Sequence, residues 1–169
     1  MQPINVEIKA KCTTPQKVEA ILLAHEAQYI GEDHQIDTYF NTTTGRLKLR
    51  EGTIENNLIA YIRSNQAGPK QSDIVLYPSK DAVTLKAALK STLGIKVIVD
   101  KRRKIFFINN VKFHIDMVEN LGNFVEIEAI DTDRTLTVTQ LQEQCEYYME
   151  LLSIQKNDLI KVSYSDLLT

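Results

Sequence analysis

Bases recur at alternate positions through the middle of this sequence: Lys48 and Arg50 in "RLKLR", Arg63 closing "NLIAYIR", and Lys101 and Arg103 in "KVIVDKRRKIFFI", with Lys70 in "GPKQSD". Carboxylates hold the same kind of position towards the two ends, Glu7 in "NVEIKAK", then Asp116 in "VKFHIDMV" and Glu126 and Glu128 in "FVEIEAI". Residues two apart share a face of an extended strand. These charged groups therefore stand opposite Val6, Ile8, Leu47, Leu49, Val125 and Ile127. Counting Lys9 and Lys11 gives eight bases against four acids, a local +4, so the rest of a chain that totals −2 carries −6. A solvated sheet face usually mixes its signs. Segregated bases with carboxylates at the margins suit a multiply charged anion accompanied by a divalent cation.

The elements that must position these residues are punctuated clearly. Strand-like stretches are "NVEIKAK", "QIDTYF", "RLKLR", "NLIAYIR", "DIVLY", "KVIVDKRRKIFFI", "VKFHIDMV" and "FVEIEAI", with turn signals at "TTTG", "NN" and "ENLG". Thr14 followed by Pro15 starts a helix with Val18, Ile21, Leu22 and Ala24 on one stripe. Ser79 is the expected cap of a second helix, with Ala82, Leu85, Leu89 and Leu93 on a core face and Gly94 ending it. A third is expected to open at Thr139 with Gln142 completing a capping box, carrying Leu141, Cys145, Tyr148 and Leu152. "SYSDLL" predicts a short tail helix.

Two architectures satisfy the alternation: an open sheet with its charged face in water, or a closed barrel whose charges line a lumen while helices cover the apolar outside. The segregation of signs favours the barrel. An α+β fold is expected, an eight-stranded, mostly antiparallel β-barrel with flanking helices forming one domain over residues 1–169. With 20 Lys and Arg against 22 Asp and Glu, no net basic field exists to hold nucleic acid or favour an anionic membrane. Cys12 and Cys145, the two cysteines, have no metal-ligand spacing, and no apolar run approaches the ~20 residues of a membrane span. A cytoplasmic protein is expected, with pairing to a second copy left open.

The ordered words "NVEIK", "DTYF", "LKLR", "YIR", "GPKQSD", "KRRKIF", "IDMVENLGNFVEIE" and "SYSDLL" resemble the CYTH superfamily, which contains class IV adenylyl cyclases and thiamine triphosphatase and is related to triphosphate tunnel metalloenzymes. The resemblance covers nearly the whole chain and is nearer the cyclase branch, especially in "QIDTYFN" and "LGNFVEIEAID". It implies a tunnel that binds a nucleoside triphosphate or other polyphosphate with Mg2+ or Mn2+. It also selects Lys101 and Arg103 from the run of four bases at 101–104, where parity alone does not decide.

On that resemblance Lys9, Arg63, Lys101, Arg103 and Asp116 are the expected catalytic residues. Lys11, Lys48, Arg50, Arg63, Lys70, Lys101 and Arg103 are expected to bind substrate, the arginines bidentately and the lysines as point charges. Glu7, Asp116, Glu126 and Glu128 are the expected metal ligands, hard oxygens for a hard cation. The reaction implied is cyclase-like, ATP to cyclic AMP and pyrophosphate; a metal-dependent triphosphatase or a non-catalytic polyphosphate binder uses the same charges. One position departs from the family: Asn5 stands where its first Glu belongs, offering an oxygen without a charge, so a weakened metal site is expected there. His25 and His34 read as surface residues, and Tyr39 and Phe40 as packing. His114 shares a face with Asp116 and is either a ligand contact or a satisfied wall residue.

Overall fold

The computed structural model describes residues 3–63 and 65–169. Eight strands, β1 (Ile4–Lys11), β2 (Gln28–Phe40), β3 (Arg46–Glu51), β4 (Asn57–Arg63), β5 (Lys70–Pro78), β6 (Ile95–Ile108), β7 (Val111–Val118) and β8 (Gly122–Asp131), are joined by α1 (Pro15–Ala24), α2 (Ala82–Leu93), α3 (Val138–Leu151) and α4 (Tyr164–Leu167). The strands close in the order β1-β5-β4-β3-β2-β6-β7-β8, each pair antiparallel. Closure satisfies every strand edge and turns one face of the alternation into a lumen.

The other face makes the main core. Val6, Ile8, Ala10, Val111, Phe113, Ile115, Val125, Ile127 and Ala129 point outward beneath Val18 and Leu22 of α1 and Leu141 and Cys145 of α3. Cys12 and Cys145 are free and buried; burial pushes the Cys145 thiol up to about 12, and its Sγ donates to the Val6 carbonyl at 3.2 Å. Among the described residues no helix is long and apolar enough to cross a membrane.

Four local expectations change. Asp81, not Ser79, caps α2, accepting from the Thr84 backbone N–H at 3.0 Å. No residue of α2 is buried, and Leu93 is exposed, so that stripe is a half-covered contact and not a core face. The capping box of α3 is Thr137 with Gln140. Two overlapping Thr-x-x-Gln words compete there; with the earlier one as cap, Leu136 just before it packs against the core cluster that holds Leu141, the spacing of a hydrophobic staple. Finally, β2 and β5 begin earlier than their apolar words, β2 through a register shift between Tyr29 and Gly31 and β5 at Lys70.

Candidate active site

A cavity of about 140 Å3 occupies the lumen, room for on the order of ten water molecules. Seven bases line it: Lys9 on β1, Lys48 and Arg50 on β3, Arg63 on β4, Lys101 and Arg103 on β6, and Lys112 on β7. Glu7, Glu126, Glu128 and Glu55, the last from the β3–β4 turn, line it with them. Asp37 and Asp116 sit directly behind, each fully enclosed and bonded to lining bases.

Each base answers to a carboxylate. Asp37 Oδ2 accepts from Lys101 Nζ at 2.7 Å, Arg50 Nη2 at 2.8 Å and Lys48 Nζ at 3.0 Å, while its Oδ1 accepts from Arg50 Nε at 2.8 Å. Burial would raise this carboxyl; Arg50, Lys101 and Lys48 overcome it and hold Asp37 well below the usual carboxylate range. Arg103 makes a bidentate pair with Asp116 at 2.7 and 2.6 Å and reaches Glu126 Oε2 at 3.1 Å. Glu126 also meets Lys9 at 3.2 Å and His114 Nδ1 at 3.0 Å. Its carboxyl, which burial alone would raise, is held well below its ordinary value by Arg103, Lys9 and His114. Arg63 pairs with Glu7 and Lys112 with Glu55, the latter at 2.7 Å.

Seven bases stand against six carboxylates, a balance of +1 where the sequence count gave +4. The difference has named sources. Lys11 is exposed and does not line the cavity. Lys70 is buried beside it, its Nζ donating to the Lys161 carbonyl at 3.1 Å. Asp116, counted in both tallies, does not line the cavity and accepts from Arg103 on both oxygens and from Tyr164 on Oδ2. Asp37, Glu55 and Lys112 join the set. Lys112 and Asp37 carry the right strand parity, which was a signal in the sequence; Glu55 is delivered by a turn whose backbone N–H groups at Thr53, Ile54 and Glu55 all donate to Asp33, and no strand pattern announces it.

Aromatic residues complete the wall. Tyr39, expected to be packing, and Tyr61 line the cavity, with Lys48 Nζ over their rings at 5.4 and 5.8 Å. Tyr164, from the tail helix capped by Ser163, lies under Lys9 Nζ at 3.9 Å and donates to Asp116 Oδ2 at 2.7 Å. Burial and the Asp116 charge push its phenol well above the ordinary value. His25 and His34 lie outside, His34 bonded to Asp100 at 2.8 Å. His114 is buried and lines the cavity, and its Nε2 has no hydrogen-bond partner among the described residues. Burial, with Arg103 nearby, lowers its pKa, so the neutral ring donates from Nδ1 to Glu126 and keeps a lone pair on Nε2.

Asn5 has a task the sequence did not suggest. It is 3% exposed and its Nδ2 donates to Glu128 Oε1 at 2.6 Å. A carboxylate at this position would face another carboxylate inside the wall. Asn5→Glu should therefore destabilise the barrel by about 1 to 3 kcal/mol, the scale of a buried charge left without a donor; a thermal melt showing no loss would return Asn5 to the role of a weakened cation ligand.

Lys70 supplies a pH signature. Burial lowers its amine to about 8, with Arg63 and Lys9 adding to the effect. An unfolded lysine titrates near ~10.4. Between the two values the unfolded chain binds more protons, so stability rises with pH there. Urea unfolding from pH 7.5 to 10 should show that rise in the parent and a smaller one in Lys70→Met; equal slopes would mean the amine is solvated.

Comparison with known proteins agrees with this geometry. The CYTH domain model matches residues 3–164. A Methanocaldococcus jannaschii protein provisionally named an adenylate cyclase is 29% identical, over 97% of this chain and 98% of that one. The structure of a Pyrococcus horikoshii protein superposes with a TM-score of 0.82 at 20% identity, covering 96% of this chain and 98% of the other. That of a Hippeastrum protein, provisionally named an adenylyl cyclase and described as having a dominant triphosphatase activity, gives 0.62 at 11% identity over 99% and 94%. Closed barrel, charged lumen and a match across nearly the whole sequence lead to one conclusion: the chain belongs to the CYTH domain family.

Proposed function

We propose that this chain is a metal-dependent enzyme that binds a nucleoside triphosphate in the lumen and acts at phosphorus, most closely as a class IV adenylyl cyclase converting ATP to cyclic AMP and pyrophosphate. The observation that carries this reading is the convergence of seven bases from five strands on one cavity. Arg50, Arg63 and Arg103 have the fork geometry for phosphate oxygens, and Lys9, Lys48, Lys101 and Lys112 add point charges. For a polyanion to bind, these bases exchange carboxylate partners for phosphate oxygens. Asp37 and Asp116 stay behind to orient Arg50 and Arg103.

Among the described residues no three His, Cys, Asp or Glu side chains converge as a ready cation site. In donor type, Glu7, Glu126 and Glu128 offer the hard carboxylate oxygens that Mg2+ or Mn2+ prefers, and Glu128 makes no ion pair among the described residues. These would be the residues to hold it. Held there, the ion would supply charge neutralisation at the phosphates. Glu7 and Glu126 are paired with Arg63 and with Lys9 and Arg103, so the anion that draws those bases away also frees the carboxylates. His114 Nε2 is positioned to accept a proton from an attacking hydroxyl.

A second reading, hydrolysis of the triphosphate, is favoured by the triphosphatase activity described for the Hippeastrum protein. The two differ in nucleophile and in the phosphorus attacked: in the cyclase the ribose 3′-oxygen attacks the α-phosphorus and pyrophosphate leaves, and in the triphosphatase water attacks the terminal phosphorus and ADP leaves. Incubation with ATP and either metal, followed by chromatography, decides: cyclic AMP with pyrophosphate supports the cyclase, ADP with orthophosphate the triphosphatase. Tight binding without turnover would leave a polyphosphate binder and overturn both enzymatic readings.

A further inference from the structure

The lumen wall is not chemically uniform. Strands β1, β3, β6, β7 and β8 contribute only ionisable side chains to it, and β2 contributes Tyr39. By contrast, β4 and β5 present Asn57, Ile59, Tyr61 and Arg63 beside Ser72, Ile74 and Leu76. The cross-strand pairs run Arg63 with Ser72, Tyr61 with Ile74, and Ile59 with Leu76, so a basic pair gives way first to an aromatic and then to an aliphatic one. Such pairs form a continuous patch, since side chains directly opposite on one face lie in contact range.

The main apolar cluster lies outside the barrel under α1 and α3. Ile59 and Tyr61 join Tyr39, Val99, Val118, Phe124 and Tyr164 in a second buried cluster, against which Ile74 packs; Leu76 belongs to neither cluster. Leu76 faces the lumen and is nonetheless 55% exposed, beside an Ile59 that is 7% exposed. A wet leucine continuous with other apolar groups in a pocket otherwise built of charge is the composition of a ligand subsite, in which apolar surface gives affinity and a few polar atoms give orientation. Ser72 supplies one such atom: it is 2% exposed, lines the cavity, and its hydroxyl oxygen has no hydrogen-bond partner among the described residues. The Asn57 amide, half-buried at the same wall, supplies another.

We infer that the β4–β5 wall receives the organic part of a polyphosphate ester, so that this lumen discriminates a nucleoside triphosphate from inorganic tripolyphosphate through Ile59, Ile74 and Leu76. The inference rests on the reading that the bases bind polyphosphate, and the two can fail separately. The phosphates take the bases of β1, β3 and β6. The base and sugar lie on the aliphatic pairs, with the Ser72 hydroxyl and Asn57 amide available to their polar edges.

Titration calorimetry with ATP and with sodium tripolyphosphate, each with EDTA at matched ionic strength, tests this on the full chain. Leu76→Ser should weaken ATP about tenfold, the scale of exposing one leucine side chain, and leave tripolyphosphate within about twofold. Its exposure makes the variant safe for folding. Val75→Ser, on the same strand and facing outward, should change neither ligand. The subsite is overturned if Leu76→Ser shifts both anions equally or shifts neither while the parent binds tripolyphosphate. Failure of both anions to bind the parent removes the underlying polyphosphate reading together with the subsite.

Discussion

Asp37→Asn should lower the stability of the barrel by about 3 to 5 kcal/mol, the range for removing one partner of a buried ion cluster. The carboxylate accepts from Lys48, Arg50 and Lys101 and is itself enclosed. An amide of the same shape cannot accept from all three and carries no charge to balance them, so three bases are left repelling one another in a desolvated wall. Lys101 is the most exposed to this loss: burial already depresses its amine well below the ordinary lysine value, with Asp37 the leading opposing influence. The same variant should respond more strongly than the parent to tripolyphosphate. A ligand that binds only the folded state at a hundred times its Kd adds about 2.7 kcal/mol, and here it also replaces the missing counter-charge.

Acid unfolding gives an independent readout of Asp37. Its folded-state pKa lies well below the unfolded value, so its contribution is complete above the unfolded carboxylate pKa near ~3.9 and is lost as pH falls through the folded value. The parent should lose stability over that descent, and the variant should lose less. Urea midpoints at pH 7 within about 1 kcal/mol of the parent would contradict the assignment of Asp37 as the counter-ion of the lumen.

Much of this arrangement was legible in the amino-acid sequence because strand parity is a local signal. The pattern of "VKFHIDMV" and "FVEIEAI" places His114, Glu126 and Glu128 on one face whatever the strands later meet, and Glu126 does line the lumen beside His114. Closure was inferable from the segregation of signs. What parity cannot supply is depth. Lys9 and Lys11 alternate identically, yet Lys9 is buried against the Tyr164 ring and Lys11 lies in solvent, because the tail segment crosses one end of β1 through the Ala10–Leu159 bridge and the Ile160 N–H bond to Lys9 O. Nor can parity reveal which carboxylate reaches which base. Asp116 has lumen parity in the sequence, but only the fold shows that the Arg103 fork and the Tyr164 hydroxyl are its partners. Asn5 reads as a damaged cation ligand until Glu128 is found 2.6 Å from its amide. Each of these depends on contacts between residues more than ten positions apart, which no local pattern encodes.

Glu126→Gln should move two measurements in opposite directions. The carboxylate sits among Lys9, Arg103 and His114 at 3.2, 3.1 and 3.0 Å and faces the cavity. Glutamine preserves its shape. Removing its charge takes away an anion that competes with phosphate for Lys9 and Arg103, so metal-free tripolyphosphate should bind about tenfold more tightly or better; one like charge a few ångströms away at an effective dielectric near ~20 is ample for that. His114 accommodates the change by moving its proton to Nε2 and accepting from the new amide. Turnover of ATP with Mg2+ or Mn2+ should fall by about two orders of magnitude or more, because the amide no longer provides the anionic oxygen that a divalent cation needs and the shifted proton removes the Nε2 lone pair proposed to accept from the attacking hydroxyl. A residue that merely kept the wall intact would weaken both properties together. Weaker tripolyphosphate binding in EDTA, or parental turnover under saturating metal, would therefore show that Glu126 only balances its neighbours and that the cation is held elsewhere.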